Sequence, residues 1–223
     1  MRIVSLVPSV TETLSAWGRV PVACTRFCER PDLPHVGGTK NPDVARIATL
    51  APDLVVMDTE ENRREDHADL VDRGVAVHVL RVRSVSDAVS GLSDLADRVG
   101  VRWTRPVLPP ATPTYARAFI PIWRRPWMAL GVPTYGAALL EHLGIHTVFD
   151  AEGPYPSVTL EEAAARHPDL VLAPSEPYPF SARQSGELEP IADTVFLDGK
   201  DLFWWGARTE EAVARLAEAL PPA

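Results

Sequence analysis

The chain says the same thing twice, on either side of one amphipathic stretch, Ser84 to Val101. Within that stretch Val85, Ala88, Val89, Leu92, Leu95, Ala96 and Val99 recur at helical spacing, with Asp87, Asp94 and Arg98 between them. Ser84 with Asp87 reads as an N-terminal capping pair and Gly100 as a stop. Roughly 14 helical residues reach about 21 Å, the depth of a small lobe. Before it, Val7-Pro8-Ser9 leads to Trp17-Gly18; after it, Val132-Pro133-Thr134 leads to Leu143-Gly144. Pro42-Asp43-Val44 followed by Pro52-Asp53-Leu54-Val55-Val56 is echoed by Pro156-Ser157-Val158 followed by Pro168-Asp169-Leu170-Val171-Leu172. The offsets stay between 114 (Pro42 to Pro156) and 126 (Gly18 to Gly144), too long for a solenoid and too constant for coincidence.

Each half alternates strands with helices. Ile3 to Val7, Val20 to Thr25, Leu54 to Met57 and Val75 to Leu80 read as strands. Helices are expected from Ser9 (with Glu12 as a capping box), from Asn41-Pro42 to about Leu50, and from Asn62 (with Glu65) to Arg73-Gly74. In the second half Thr159 with Glu162 forms another capping box, Thr194 to Leu197 is the closing strand, and a last helix starts near Thr209. Alternation of this kind means parallel sheets. The fold class is therefore α/β: two similar lobes with parallel sheets, bridged by a single connecting helix, with a ligand cleft between them. The expected divisions are 1–83 for the N-terminal lobe, 84–114 for the connecting helix and a Pro-rich return, and 115–223 for the C-terminal lobe.

Charge and composition close off several functions. With 22 Lys and Arg against 30 Asp and Glu, the 223-residue chain carries −8 and no basic run, which argues against nucleic acid as a partner. No apolar segment approaches the ~20 residues that span a bilayer, so no membrane insertion is expected. MRIVSLVPS is too short for a signal h-region, and no lipid-attachment cysteine lies near the start. The sequence as it stands is expected to be cytoplasmic, and extracytoplasmic if the natural N-terminus is longer. Cys24 and Cys28 are close enough for a disulfide, while two buried or reactive thiols is the simpler reading for a cytosolic chain.

In open parallel sheets ligands sit beyond the carboxyl ends of the strands, here the loops Asp58 to Asn62 and Ser175 to Phe180. Aromatic residues gather in the second half beside Pro or Gly: Trp123, Trp127, Tyr155, Tyr178, Phe180 and the run Phe203-Trp204-Trp205. Flat faces with few polar groups suit a large planar ligand, so Trp123, Trp127, Tyr155, Tyr178 and Trp205 are candidate ligand contacts, with core packing the competing reading. Trp17 and Trp103 read as packing. Arg124, Arg125 and Arg208 suit carboxylates, amides or phosphates, or else surface ion pairs. Glu61 and Asn62 either open a helix or reach ligand, as does Glu176 at the equivalent place. No Gly-rich phosphate loop, G-x-S-x-G, H-E-x-x-H or C-x-x-C is present. His142 and His146 stand at i, i+4 with no third ligand, which favours solvated or capping histidines over a metal site. No catalytic residue, no metal ligand set and no required cofactor emerge.

The motifs RIVSLVPSVTETLSAWG, TRFCERP, VGGTKNPD, APDLVVMDTEENRRED, IWRRPWM and SEPYPF resemble, in order and over nearly the whole chain, those of the helical-backbone metal receptors, the class III periplasmic solute-binding proteins that include vitamin B12-binding proteins. The resemblance implies a cobalamin or another metal complex, such as a siderophore or haem, held between two lobes, and an ABC importer as partner. By motif position the family's ligand-contacting residues fall at Phe27, Lys40, Asp58, Trp127 or Met128, Tyr155, Asp201 and Arg208. The chain departs from the family at Ala45, where B12-importer members carry an acidic docking residue that Glu161 retains in the second half. It departs again after Gly100, where Pro106, Pro109, Pro110 and Pro113 forbid the second part of a long helix. The expectation is a solute-binding protein. The alternatives are a metal-dependent enzyme or tailoring factor and a ligand-free interaction module.

Overall fold

A computed structural model describes residues 1–222. The chain divides into two compact units: Met1–Val82 with Ser86–Pro106 and Trp205–Ala207, and Arg83–Val85 with Val107–Trp204 and Arg208–Ala223.

The first unit runs β1 (Ile3–Ser5), α1 (Pro8–Ala16), β2 (Ala23–Cys24), β3 (Gly37–Gly38), β4 (Asn41–Pro42), α2 (Val44–Thr49), β5 (Leu54–Asp58), α3 (Arg64–Asp72), β6 (Val77–Leu80) and α4 (Val85–Val99). Its sheet is ordered β2-β1-β5-β6 and is parallel throughout. Every residue of β1 and β5 is buried, as continuous apolar runs in a sheet covered on both faces should be. Val4, Leu6, Val36, Ile47, Val55, Met57 and Leu70 form the core, each such side chain contributing about 1.5–3 kcal/mol by leaving water.

Three helix starts differ from the sequence expectation. Ser9 does not cap α1; Pro8 opens it, and Thr11, Thr13 and Ser15 return their hydroxyls to the carbonyls of Val7, Ser9 and Thr11. Asn41-Pro42 forms a strand of the β3–β4 hairpin, and Asp43 caps α2 through the Arg46 N–H at 2.9 Å. Gly37 makes that hairpin possible, with φ of 94° and no room for a Cβ beside the Asn41 carbonyl. Asn62 is withdrawn from α3 altogether, for reasons given below.

Helix α4 buries Ala88, Leu92, Leu95, Ala96 and Val99, the stripe its periodicity requires. From Ser86 onward it groups with the first unit. Residues 101–115 carry no regular element, consistent with their prolines.

The second unit runs β7 (Ala116–Phe119), β8 (Pro121–Trp123), β9 (Met128–Ala129), α5 (Tyr135–His142), β10 (Ile145–Thr147), α6 (Leu160–Ala165), β11 (Leu170–Pro174), a 3₁₀ turn at Ala182–Gln184, α7 (Ser185–Leu188), β12 (Asp193–Leu197), α8 (Gly199–Phe203) and α9 (Thr209–Ala219). Its parallel sheet is ordered β10-β7-β11-β12, the order of the first sheet repeated strand for strand. Thr134 caps α5, and Thr159 with Glu162 completes both bonds of the expected capping box on α6. The return segment is stitched to this unit by Val107 N–H to Glu210, Thr112 N–H to the His142 carbonyl and Tyr115 N–H to the Gly144 carbonyl. Among the described residues no helix is long and apolar enough to cross a membrane.

Candidate functional site

Parallel pairing brings the carboxyl ends of all four strands of a sheet to one edge, so the loops that follow them are neighbours however far apart they lie in sequence. In the second unit these loops follow β7, β11 and β12. The end of β8 and the turn after it supply Trp123, Arg124 and Trp127; the loop after β11 supplies Glu176, Tyr178 and Phe180; and α8 carries Asp201 and leads to Trp204.

The rings form one connected set. Trp123 meets Tyr178 edge-on, with centroids 5.9 Å apart and planes at 80°, and Tyr178 lies 4.7 Å from Phe180. Phe180 stacks on Trp127 at 5.8 Å and 11°. The order of exposure matters more than the order of contact. Phe180 is 4% exposed and belongs to the buried cluster of Phe119, Phe149 and Val171, with Trp127 and Tyr178 packed against it, while Trp123 is 43% exposed. The set thus runs from core to solvent and presents Trp123 as its open face. Arg124 lies over Trp127 and is held by a bidentate pair to Glu187, at 3.0 and 2.5 Å. Tyr155, 39% exposed, stands on a segment tied to β9 by the bond Ala129 N–H to Pro156 and to the residues after β9 by Gly131 N–H to Pro154.

A second group surrounds Trp204. Its indole N–H donates to Glu176 at 3.1 Å, Lys200 lies over the ring at 5.4 Å, and Arg208 at 5.3 Å. Asp201, 3% exposed, accepts from Arg208 at 3.2 Å and twice from Arg215 at 2.7 Å. Its carboxylate is therefore occupied in holding two guanidiniums, and its place beside the ligand-contacting candidates is as an anchor for Arg208.

In the first unit the corresponding edge carries Phe27, Lys40, Asp58, Glu61 and Asn62. Phe27 is 50% exposed under the Arg26 guanidinium, and the β3–β4 hairpin docks on its turn through Arg26 N–H to the Gly37 carbonyl at 2.9 Å. Lys40 donates to the Glu60 carbonyl at 2.6 Å. Asn62 is buried and fully engaged, donating to the carbonyls of Leu6 and Thr39 and accepting from the Asp58 N–H. It clamps three loops at the sheet edge, which is why it neither caps α3 nor offers an open amide. Asp58, 2% exposed, accepts from the N–H groups of Glu60 and Val82. Burial nonetheless dominates and pushes its carboxyl up to about 7; burial likewise raises Glu61. A hollow of about 260 Å³ beside Met57, Asp58, Asn62, His67 and Val79 opens next to this group.

Trp205 differs from expectation. It is 6% exposed and groups with the first unit, so its ring face is packed. Trp204, the adjacent residue, is the one that joins the polar network. The backbone at Trp204 is extended, and neighbours along an extended segment point to opposite sides. The tandem itself was the signal that one of the two would be available; which one depends on where α8 ends. Trp17 and Trp103 pack on each other at 6.1 Å, as expected. His142 bonds the Pro109 carbonyl and His146 pairs with Asp150, so the two do not act together. Among the described residues no three of His, Cys, Asp and Glu converge on a point where a metal ion would fit.

No protein-family model matches the chain. The vitamin B12-binding protein of Salmonella paratyphi A is 23% identical over 189 residues, which span 77% of this chain and 71% of that protein. Among solved structures, the periplasmic vitamin B12-binding protein BtuF of Vibrio cholerae superposes with a TM-score of 0.74 at 18% identity, over 98% of this chain and 95% of that one. A periplasmic heme-binding protein from Pseudomonas aeruginosa gives 0.78 at 19% identity, over 100% and 95%. The chain has the fold of the class III periplasmic solute-binding proteins, and the resemblance drawn from its motifs is borne out at that level.

Proposed function

We propose that this chain is a solute-binding protein that receives a planar metal macrocycle, cobalamin or haem in kind, on the loops at the carboxyl ends of its sheets. The observation that carries the reading is the graded aromatic set from Phe180 to Trp123, rooted in the core and ending in an open indole. A flat, rigid, amphipathic surface of this kind binds at low entropic cost and favours flat partners. Tyr155 adds another half-exposed ring, and Arg208 and Glu176 supply polar groups for a ligand's edge. The similar proteins, named for vitamin B12 and heme, support the ligand class.

The same names favour an extracytoplasmic place of action over the cytoplasmic one expected from the sequence as it stands. An ABC importer is the natural recipient in this reading. Glu161 is exposed on the first turn of α6, where it would dock, while Ala45, exposed on the first turn of α2, leaves the other contact uncharged. An enzyme or a ligand-free module on this fold gains no support from the side chains at the sheet edges.

The test is a tryptophan-quenching titration with cyanocobalamin, haem and a ferric siderophore. Saturable quenching by one of them, weakened at least tenfold in Trp123→Ala, supports the reading and names the ligand class. Lack of saturable quenching by all three would overturn it.

A further inference from the structure

We propose that Cys24 and Cys28 are a redox pair that closes into an intrachain disulfide and staples the turn carrying Phe27. The motif TRFCERP places Phe27 between the two cysteines' positions, and the fold closes that spacing into one turn. Cys24 ends β2, and Cys28 closes a turn with its N–H on the Thr25 carbonyl at 3.1 Å. Both thiols are free and both are buried, at 0% and 4% exposure, at the two ends of one short turn. Two hydroxyls converge on the second sulfur: Thr11 Oγ1 and Thr25 Oγ1 each lie 3.1 Å from Cys28 Sγ. Arg26, Phe27 and Glu29 around it are exposed, so Cys28 lies one residue below the surface.

This arrangement differentiates the two sulfurs. The Cys24 thiol beside it, followed by the Thr11 and Thr25 hydroxyls, holds the Cys28 thiol below the ordinary range, while the same neighbour and burial push Cys24 up. Cys28 is the nucleophile and Cys24 the resolving thiol. With oxidised glutathione as oxidant, the Cys28 thiolate attacks one glutathione sulfur, forms a mixed disulfide and releases the first glutathione as thiolate. Cys24 loses its proton, attacks Cys28 Sγ and displaces the second glutathione. Two cysteine thiols are oxidised to one disulfide, and one glutathione disulfide is reduced to two thiols.

The consequence is local. The crosslink spans the five residues Cys24 to Cys28, so it fixes Arg26 and Phe27 above it and the β3–β4 hairpin docked on them. The proposal does not depend on the ligand reading, because its test counts thiols.

The full-length chain is equilibrated in glutathione buffers of stepped reduced-to-oxidised ratio, quenched with acid, alkylated with N-ethylmaleimide under denaturing conditions and weighed intact. The expected result is two alkylations at the reducing end and none at the oxidising end, at the mass of one chain without added glutathione. Cys24→Ser is expected to stop at one glutathione on Cys28, faster than Cys28→Ser gains one on Cys24. Two alkylatable thiols at every ratio, or a disulfide found only between two chains, would overturn the proposal. A faster adduct on Cys24 would overturn the assigned order of attack. The wild-type thiol count stands by itself if either variant fails to fold.

Discussion

Trp204 gives its indole N–H to the Glu176 carboxylate at 3.1 Å, joining the residue that follows α8 to the loop that follows β11. Neither loop is held this way by its own sequence. The bond locks the indole between Lys200 and Arg208, and Gly199 permits the approach, since a Cβ there would strike the Glu176 backbone. Replacing Glu176 with Ala should free the ring and weaken ligand binding by roughly tenfold, about 1.4 kcal/mol, while Glu176→Gln keeps an acceptor and most of the affinity. Quenching titrations of the two variants side by side check this.

Trp123 and Trp127 belong to one aromatic set yet should fail differently. Trp127 stacks on buried Phe180, so Trp127→Ala should cost about 2–3 kcal/mol of stability. Trp123 is open, so Trp123→Ala should stay within roughly 0.5–1 kcal/mol of wild type while losing ligand. Urea midpoints for both variants separate the core end of the set from its binding end.

Asp201 should matter for architecture. Its buried carboxylate joins α8 to α9 through Arg208 and Arg215, and Asp201→Asn removes the charge that both guanidiniums share, leaving Arg215 with Glu211 at 3.5 Å. A loss of about 2 kcal/mol in denaturant unfolding is expected, moderated because both arginines are partly solvated. An unchanged midpoint would remove Asp201 from the anchoring role.

Asp58 should make stability depend on pH. Burial raises its folded pKa from the ordinary 3.8 to about 7, so the folded chain holds a proton that the unfolded chain releases. The contribution is complete below about pH 4 and is lost as pH rises through 7, on the order of 4 kcal/mol over that window. Asp58→Asn cannot lose that proton. Its stability relative to wild type should therefore climb across the window, read from urea unfolding at stepped pH. A pH-independent difference would show that Asp58 is not buried as a neutral acid.

What the sequence reveals and what it withholds follows from the range of the interactions involved. Buried parallel strands are continuous apolar runs, so Leu54–Asp58 and Leu170–Pro174 were legible, and the repeat gave their equivalence. Thr159 with Glu162 caps as written, each side chain bonding the other residue's backbone N–H three positions away. Asn62 with Glu65 shows the same local signature and does not cap, because carbonyls 56 and 23 residues away claim the amide. The sequence points to Trp205 where the structure puts Trp204 in the polar network, because composition cannot say which side of an extended segment faces a core. The partners of Arg124 and Asp201, Glu187 and Arg215, lie 63 and 14 residues off and leave no trace in a local pattern.

Thr13 Oγ1 receives the Ala207 N–H at 3.1 Å across 194 residues of chain, and Gly206, at φ of 121°, passes so close to the Thr13 side chain that a Cβ would collide with it. That contact sets an order of events during synthesis. Domains emerging from the ribosome generally fold amino-terminal end first. Here the first 106 residues emerge without Trp205–Ala207, three residues that the first unit takes from the far end of the chain. Its final closure must wait until Ala207 has been made, which couples completion of the earlier half to delivery of the later one.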